Sequence, residues 1–207
     1  MIRAIVSDFG GVLTSPLIEV FLTYQERTGV NAEDLGKAMA RAQERHGDHP
    51  LFQLERGEIS EEEFGNRLQE GLRDEFDVRH LRNAYFDGLR PNARMIDYMR
   101  ELRERGLRMV LCTNNVKEWE PLWRAKLPEL GEIFEVVVDS AFVGTRKPEP
   151  RIFELTLERL GDGLRFDECL LVDDLQVNCD GAVALGMRAV RFEDNGQAIE
   201  AIEALIG

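Results

Sequence analysis

The chain has 207 residues, of which 39 are acidic and 26 basic, so its formal net charge is −13. At roughly 150 residues per domain, this length predicts one or two domains with a full hydrophobic core. The acidic excess argues against sequence-independent nucleic-acid binding, because that affinity comes from Lys and Arg side chains that neutralise phosphates. It argues in the same way against an anionic membrane surface.

Hydrophobic residues make up 43% of the chain, a fraction typical of soluble globular proteins. The apolar runs are short, so no membrane-spanning segment, which needs about 20 apolar residues, is expected. The first residues meet Asp8 early and lack a small-residue cleavage site, so no signal peptide is expected either. Cys112, Cys169 and Cys179 are interpreted as buried thiols of a cytoplasmic protein.

The first predicted element is a buried strand at residues 2–6, a β-branched apolar run that leads into Asp8 and the pair Gly10-Gly11. Similar runs follow at residues 107–112, 135–138, 169–172 and 187–192. They are apolar on consecutive positions, which is typical of strands covered on both faces. The predicted fold class is therefore α/β, a Rossmann-like parallel sheet with helices on both faces.

Helical patterns separate these strands. Proline and glycine punctuation places helices of the sheet within residues 91–106, 148–161 and 175–186. Since each helix follows one strand and precedes another, they are expected to make the crossovers of the parallel sheet.

Residues 15–90 contain no strand-like run and favour several consecutive helices. One is predicted over residues 15–29, Asn31 is expected to cap the next, and Ser60 with Glu63 forms a predicted capping box. The simplest interpretation is an all-helical cap at residues 15–90, inserted into a core made of residues 1–14 and 91–207.

Polar residues end or follow the predicted strands, and this is where an open parallel sheet binds its ligands. They are Asp8, Thr113, Asn114, Asp173 and Asp174, and Lys147 is expected nearby in the loop at residues 144–148. Each of them alone has an ordinary structural explanation as a turn, loop or cap residue. Together they would place three carboxylates at one edge, where repulsion favours a divalent cation, and oxygen ligands suit Mg²⁺.

Four segments in this order resemble the motifs of the haloacid dehalogenase (HAD) superfamily of aspartate-nucleophile phosphohydrolases. They are SDFGGVLT at residues 7–14, LCTN at 111–114, RKPEP at 146–150, and the VDD that opens residues 172–178. Phosphoacceptor receiver domains also combine aspartates, a threonine and a lysine, but their acidic pair lies near the N-terminus and here it comes last. Within the cap, LERGEIS at residues 54–60 resembles the branch related to the N-terminal phosphatase domain of soluble epoxide hydrolases.

The resemblance implies Mg²⁺-dependent hydrolysis of a small phosphate monoester, a phosphorylated metabolite. Asp8 would attack phosphorus and form an aspartyl-phosphate that water then hydrolyses. The Thr113 hydroxyl and the Asn114 backbone N–H would bind phosphoryl oxygens. The Lys147 ammonium would offset the negative charge around Asp8.

The resemblance also implies the ligands of the metal. Asp8, the Gly10 backbone carbonyl and Asp174 would hold Mg²⁺, with Asp173 close behind. Oligomeric state and substrate identity have no recognisable signal in the sequence.

Gly10 is where the sequence departs from the family, because phosphatases of this superfamily usually carry an aspartate there. That aspartate protonates the leaving group and activates water, a contribution of about 10²–10⁴ in rate. Four alternatives stay open. In the first, a substrate group or a cap side chain such as His46 or His49 supplies the proton, and in the second, turnover is slow and limited to good leaving groups. In the third, the protein is a catalytically weak phosphoryl-binding or regulatory protein, and in the fourth it is a 2-haloacid dehalogenase. The last alternative is disfavoured by Asp173-Asp174, which a metal-independent site would leave unpaired.

Two further groups of residues have competing interpretations. His46 and His49 favour a solvated or substrate-facing loop over a transition-metal site, because no third imidazole or thiolate lies nearby. Trp119 and Trp123 favour core packing, with a place at the substrate entrance as the alternative.

Overall fold

A computed structural model of the chain describes residues 1–15, 25, 30–72 and 77–207. The predicted helix over residues 15–29 lies, apart from residues 15 and 25, outside the described residues. The other predicted elements can be compared directly with the structure.

One parallel sheet of five strands runs through the described part of the chain, in the order β3-β2-β1-β4-β5. The strands are β1 Ala4–Ser7, β2 Arg108–Thr113, β3 Val136–Asp139, β4 Cys169–Asp173 and β5 Arg188–Arg191. The α/β prediction is confirmed. The observed ends extend into polar residues such as Thr113 and Asp173, because ladder hydrogen bonding continues beyond the apolar run that marks a strand in sequence.

The helices within the described residues are α1 Ala32–His46, α2 Pro50–Glu55, α3 Glu61–Gln69, α4 Val78–Gly88, α5 Ala93–Glu104, α6 Glu120–Lys126, α7 Leu130–Ile133, α8 Ser140–Val143, α9 Pro150–Leu160, α10 Gln176–Ala184 and α11 Asn195–Ile206. Short 3₁₀ turns lie at Lys117–Trp119 and Phe166–Glu168. Of these helices, none is both long and apolar enough to cross a bilayer.

Alternate residues of the central strand β1 pack on opposite faces of the sheet. Ile5 joins an apolar cluster with Met99 of α5 and Ile202 of α11. Val6 joins a second cluster with Phe153 of α9. Helices therefore cover both faces, which is why the strands are apolar on consecutive positions.

The predicted helix caps are largely as expected. The Asn31 side chain accepts from the Asp34 backbone N–H, and Ser60 Oγ accepts from the Glu63 backbone N–H. The Glu63 carboxylate, however, accepts from Arg67 on the next turn, so the observed bond to Ser60 is one half of the capping box.

Helix α9 begins at Pro150 and not at Pro148, which differs from the predicted bound. Glu149, the residue before Pro150, is extended with φ −60° and ψ 132°. A residue that precedes proline avoids the helical region for steric reasons, so the second proline of the segment sets the start of the helix.

Helices α1 to α4 lie between β1 and β2 along the chain and share an apolar cluster, which includes Leu35, Leu54 and Phe64. Where the chain leaves and re-enters the sheet region, the Ser15 backbone N–H donates to the Arg90 carbonyl at 2.8 Å. The division of the chain at residues 15 and 90 stays a prediction, which this bond supports.

Candidate active site

The carboxylate of Asp8 lies at the carboxyl end of the central strand. Its backbone N–H donates to the Val172 carbonyl at 2.9 Å, which ties it to the neighbouring strand β4. Its Oδ1 accepts from the Phe9 backbone N–H at 2.7 Å. The side chain is nearly buried, so its position is set by the sheet and not by solvent.

Lys147 is fully buried between two carboxylates. Its Nζ lies 2.8 Å from Asp8 Oδ1 and 2.6 Å from Asp173 Oδ2. Burial by itself lowers the pKa of this ammonium, but Asp173 and Asp8 outweigh that effect and hold the pKa above its usual range. A buried cation requires such pairing, and Lys147 therefore stays charged beside Asp8.

The loop that carries Lys147 is fastened to the end of β2 by one side chain. Asn114 Oδ1 accepts from the Lys147 backbone N–H at 2.8 Å, and its Nδ2 donates to the Lys147 carbonyl at 3.0 Å. The sequence indicated a role for the backbone of Asn114, but it did not indicate this one for the side chain. Thr113, just before it, is buried at the carboxyl end of β2, in the strand beside Asp8.

Two contacts fasten the same loop to the helical insertion. Arg56 lies 3.0 Å from Glu149, and Arg146 lies 2.5 Å from Glu55. Both insertion residues belong to the segment 54–60 that carried the sequence resemblance. Docking against the loop that carries Lys147 therefore explains Glu55 and Arg56 of that segment.

The three aspartates converge as the sequence predicted. One carboxylate oxygen each from Asp8, Asp173 and Asp174 lie within 4.8 Å of one another. Burial has the largest effect on the pKa of Asp8 and raises it. The charge of Lys147 lowers this pKa, whereas the charges of Asp173 and Asp174 raise it, and the result is a pKa of about 7. Burial and Asp173 also raise the pKa of Asp174. This is the electrostatic condition that a bound cation relieves.

The donor set fits Mg²⁺ by its chemistry, because carboxylate oxygens are the ligands that hard cations prefer. Asp173 is the most engaged of the three: besides Lys147 it accepts from the Leu175 backbone N–H and from Asn178 Nδ2. Asp174 makes no ion pair within the described residues. Asp8 and Asp174 therefore offer the freer oxygens.

Gly11 explains how Asp174 comes so close to the turn after β1. Its φ is +77°, and a Cβ placed on it would lie 2.3 Å from Asp174 Oδ2. Any larger residue would both strain the backbone and displace the carboxylate. Gly10 differs, since it does not share the left-handed conformation of Gly11.

The sequence did not single out Tyr85 of α4, which the structure brings to this edge of the sheet. A Cβ placed on Gly10 would have the Tyr85 hydroxyl oxygen 4.0 Å away. Nothing in the pattern of residues 78–88 marks this tyrosine, because its approach to Gly10 depends on how the insertion docks.

A cavity of 180 Å³ opens beside Asn114. Its walls are mainly apolar and come from the insertion and from the segment after β2. Among the described residues they include Leu35, Leu54, Phe64, Leu81, Tyr85 and Trp119.

Trp119 and Trp123 have different surroundings, and each matches one of the two interpretations from the sequence. Trp123 is fully buried and packs against Phe9, with ring centroids 5.2 Å apart. Trp119 lines the cavity, and its Nε1 donates to Glu61 at 3.0 Å. Core packing is thus confirmed for Trp123, and Trp119 takes a place at the cavity wall.

The predicted loop placement is wrong for His46, which is the last residue of helix α1, whereas His49 directly precedes helix α2. Both histidines have partners of their own. His46 Nε2 lies 3.5 Å from Glu70, and the His49 ring stacks on Phe52 at 4.4 Å. The acidic cluster at Asp8 is the sole group of three or more potential metal-binding side chains in the described ranges. A transition-metal site at His46 and His49 is therefore not found there. All three cysteines are buried and free, as expected.

A parallel sheet with carboxylates at its strand ends and a buried lysine on a neighbouring loop, together with a helical segment inserted after the first strand, defines an α/β enzyme with its site at the sheet edge. The chain belongs to the haloacid dehalogenase-like hydrolases, whose family model matches residues 2–186. The family resemblance inferred from the four motifs is confirmed.

The chain is 30% identical to acyl-CoA dehydrogenase family member 10 of Mus musculus, over 99% of this chain but only 19% of that protein's length. It is 29% identical to Phosphatase MT3486 of Mycobacterium tuberculosis, over 97% of this chain and 92% of that protein. Its fold is similar to that of a HAD family enzyme from Bacteroides thetaiotaomicron, solved in complex with magnesium and inorganic phosphate. The TM-score is 0.67 and the identity 23%, over 92% of this chain and 94% of the other.

Proposed function

We propose that this hydrolase cleaves a small phosphate monoester in a Mg²⁺-dependent reaction, with Asp8 as the nucleophile. The observation that carries the proposal is a cluster of three carboxylates, two of which pair with one buried ammonium, with Lys147 Nζ 2.8 Å from Asp8 and 2.6 Å from Asp173. Phosphoryl transfer requires mainly positioning and neutralisation of charge, and this group offers both. The phosphatase relative and the fold neighbour with bound magnesium and phosphate support the same reaction.

In the proposed reaction an Asp8 oxygen attacks phosphorus, the bond to the ester oxygen breaks, and an aspartyl-phosphate forms. Water then attacks the same phosphorus and restores the carboxylate. Lys147 holds Asp8 in place and balances its charge throughout. The Thr113 hydroxyl and the Asn114 backbone N–H bind phosphoryl oxygens, while the Asn114 side chain keeps the Lys147 loop in register.

Asp8, Asp174 and the Gly10 carbonyl are the proposed Mg²⁺ ligands, with Asp173 beside them. When bound, the cation supplies charge neutralisation at the carboxylates and at the phosphoryl oxygens. Gly11 contributes to metal binding indirectly, because its lack of a side chain leaves the space that the Asp174 carboxylate occupies.

The cavity beside Asn114 is proposed to hold the alcohol part of the substrate. Its volume, 180 Å³, is comparable with the ~150 Å³ apolar cavity that accommodates benzene in another protein. The lining favours an apolar group of that size over a sugar, whose hydroxyls would lose hydrogen bonds to water on entry.

The test is turnover of p-nitrophenyl phosphate by the purified chain with Mg²⁺ and with a chelator. We expect activity only with Mg²⁺ and a loss to background in Asp8→Asn, whose amide keeps the shape of the side chain but is a poor nucleophile. Asp167→Asn is the matched control, because Asp167 is an exposed carboxylate paired with Arg165. Acid quenching during turnover should trap one phosphoryl group on the peptide that contains Asp8.

The alternative of a catalytically weak phosphoryl binder, motivated by Gly10, predicts a different result. Mg²⁺ and inorganic phosphate would then raise the melting temperature without turnover of any ester. A wild type that turns over 2-haloacids and not phosphate esters would favour the dehalogenase alternative.

A further inference from the structure

The space that a side chain at residue 10 would enter is bounded by a hydroxyl from the insertion. The Tyr85 oxygen, 4.0 Å from a Cβ built on Gly10, is the one atom within that distance in the described ranges, apart from the flanking residues. An aspartate at residue 10 would extend its carboxyl group about 2.4 Å beyond that Cβ by ordinary bond lengths and angles. The Tyr85 oxygen is thus close to where that carboxyl group would be.

The ring of Tyr85 is held in place on two sides. It stacks on Trp119, with centroids 5.4 Å apart and planes inclined by 30°. It meets Phe86 edge to face at 4.9 Å. Both arrangements are favourable for aromatic pairs, so the direction of the hydroxyl is fixed by packing. The same ring lines the cavity beside Asn114.

The burial of the Tyr85 hydroxyl favours its protonated form. Burial is the largest effect on the pKa of Tyr85 and raises it above its usual value. A neutral phenol is a hydrogen-bond donor, whereas a carboxylate at the same place would be an acceptor until it took up a proton.

We propose that the Tyr85 hydroxyl donates the proton to the leaving-group oxygen, in place of the side chain that residue 10 lacks. The proposal rests on the proposed phosphatase function and adds a catalytic residue to it. As the ester P–O bond breaks, its electron pair stays on the leaving oxygen, which takes the phenolic proton. The resulting phenolate accepts a proton from the water that attacks the aspartyl-phosphate. Asp8 leaves as a carboxylate, and the phenol is restored.

The test compares Tyr85→Phe with wild type on two esters, p-nitrophenyl phosphate and n-butyl phosphate. Nitrophenolate is a good leaving group that needs little protonation, whereas butoxide needs a proton. We expect kcat/KM for butyl phosphate to fall by about 10²-fold, the lower end of general-acid contributions. For the nitrophenyl ester the fall should stay within roughly threefold, because phenylalanine retains the packing of the ring.

Two further variants separate chemistry from packing. Gly10→Asp in the Tyr85→Phe background should recover butyl phosphate turnover, because the carboxyl group regains the space of the lost hydroxyl. Tyr98→Phe is the matched control. Tyr98 lies on helix α5, and its hydroxyl donates to Glu203 at 2.8 Å. The loss of this hydroxyl should leave the ratio of kcat/KM for the two esters unchanged.

Equal losses on both esters, or no loss on either, would overturn the role of Tyr85 while leaving the phosphatase function intact. Absence of turnover in the wild type would refute the phosphatase function and this role with it. If Tyr85→Phe does not fold, the wild type is decisive on a series of aryl phosphates. A shallow dependence of rate on leaving-group pKa supports a proton donor, and a steep one overturns it.

Discussion

The two adjacent glycines after Asp8 offer a sharp test of the site geometry, because a methyl group should affect them very differently. At Gly11 a Cβ would lie 2.3 Å from Asp174 Oδ2 and 2.7 Å from its Cγ, on a backbone with φ +77°. At Gly10 its nearest contact would be Tyr85 at 4.0 Å. Gly11→Ala is therefore expected to displace the Asp174 carboxylate, and Gly10→Ala is expected to leave it in place.

The left-handed backbone alone costs an alanine about 1–2 kcal/mol. For a chain of this size each kcal/mol shifts the melting temperature by about 2–4 °C, so Gly11→Ala should melt roughly 2–8 °C below wild type without metal. Gly10→Ala should stay within about 0.5 kcal/mol of wild type. The larger contrast is expected with Mg²⁺, which should stabilise Gly10→Ala and fail to stabilise Gly11→Ala.

Thermal unfolding followed by circular dichroism, with Mg²⁺ and with a chelator, measures both effects. If Gly11→Ala melts like wild type and keeps its full response to Mg²⁺, then Asp174 does not lie against this turn as described. Equal damage from the two substitutions would refute the distinction between the glycines.

Mg²⁺ at 100 times its Kd should stabilise the wild type by about 2.7 kcal/mol, and Asp174→Ala should abolish that shift; a wild type that melts identically with and without Mg²⁺ would count against the metal site. Lys147→Met leaves Asp8 and Asp173 buried without their cation, so its urea midpoint at neutral pH should correspond to a loss of about 3–5 kcal/mol; an unchanged midpoint would contradict the pairing. Because the pKa of Asp8 is about 7 when folded against 3.8 ordinarily, the folded state binds the proton more tightly, and the metal-free protein should lose stability as the pH rises from about 4 to about 7. Asp8→Asn should flatten that dependence in melts recorded with a chelator.

The architecture was predictable because its signals are local. Each strand is a short apolar run, and parallel strands bring their carboxyl ends to one edge of a sheet. That rule placed Asp8 and Asp174 together although they lie at opposite ends of the sequence. The caps at Asn31 and Ser60 were predictable for the same reason, since a cap depends on residues three positions apart.

The parts that the sequence did not reveal depend on how separate segments dock. The Asn114 side chain forms two hydrogen bonds with the Lys147 backbone. This contact depends on the path of a loop and not on a residue pattern. Tyr85 has an ordinary helical context, and its approach to Gly10 exists only once α4 rests on the sheet edge. From the sequence, the need for a proton donor above Asp8 suggested instead a substrate group or a cap side chain such as His46 or His49. Tyr85 becomes a candidate only through its position in the structure.

The central position of β1 in the sheet determines when the site can form during synthesis of the chain. Ala4 pairs with Arg108 on one side and with Cys169 on the other. The hydrogen bonds between β1 and its neighbours can therefore form only after those later segments of the chain have been synthesised. About 165 residues separate Asp8 from Asp174, and a ribosome working at roughly 5–20 residues per second needs about 10–30 s to make them. β1 has neither neighbour until β2 at Arg108–Thr113 is made, and only that one until β4 at Cys169–Asp173 follows. Strands with unpaired edges are prone to aggregate or to recruit chaperones. The strand that precedes Asp8 is thus the first made and among the last to be paired on both sides.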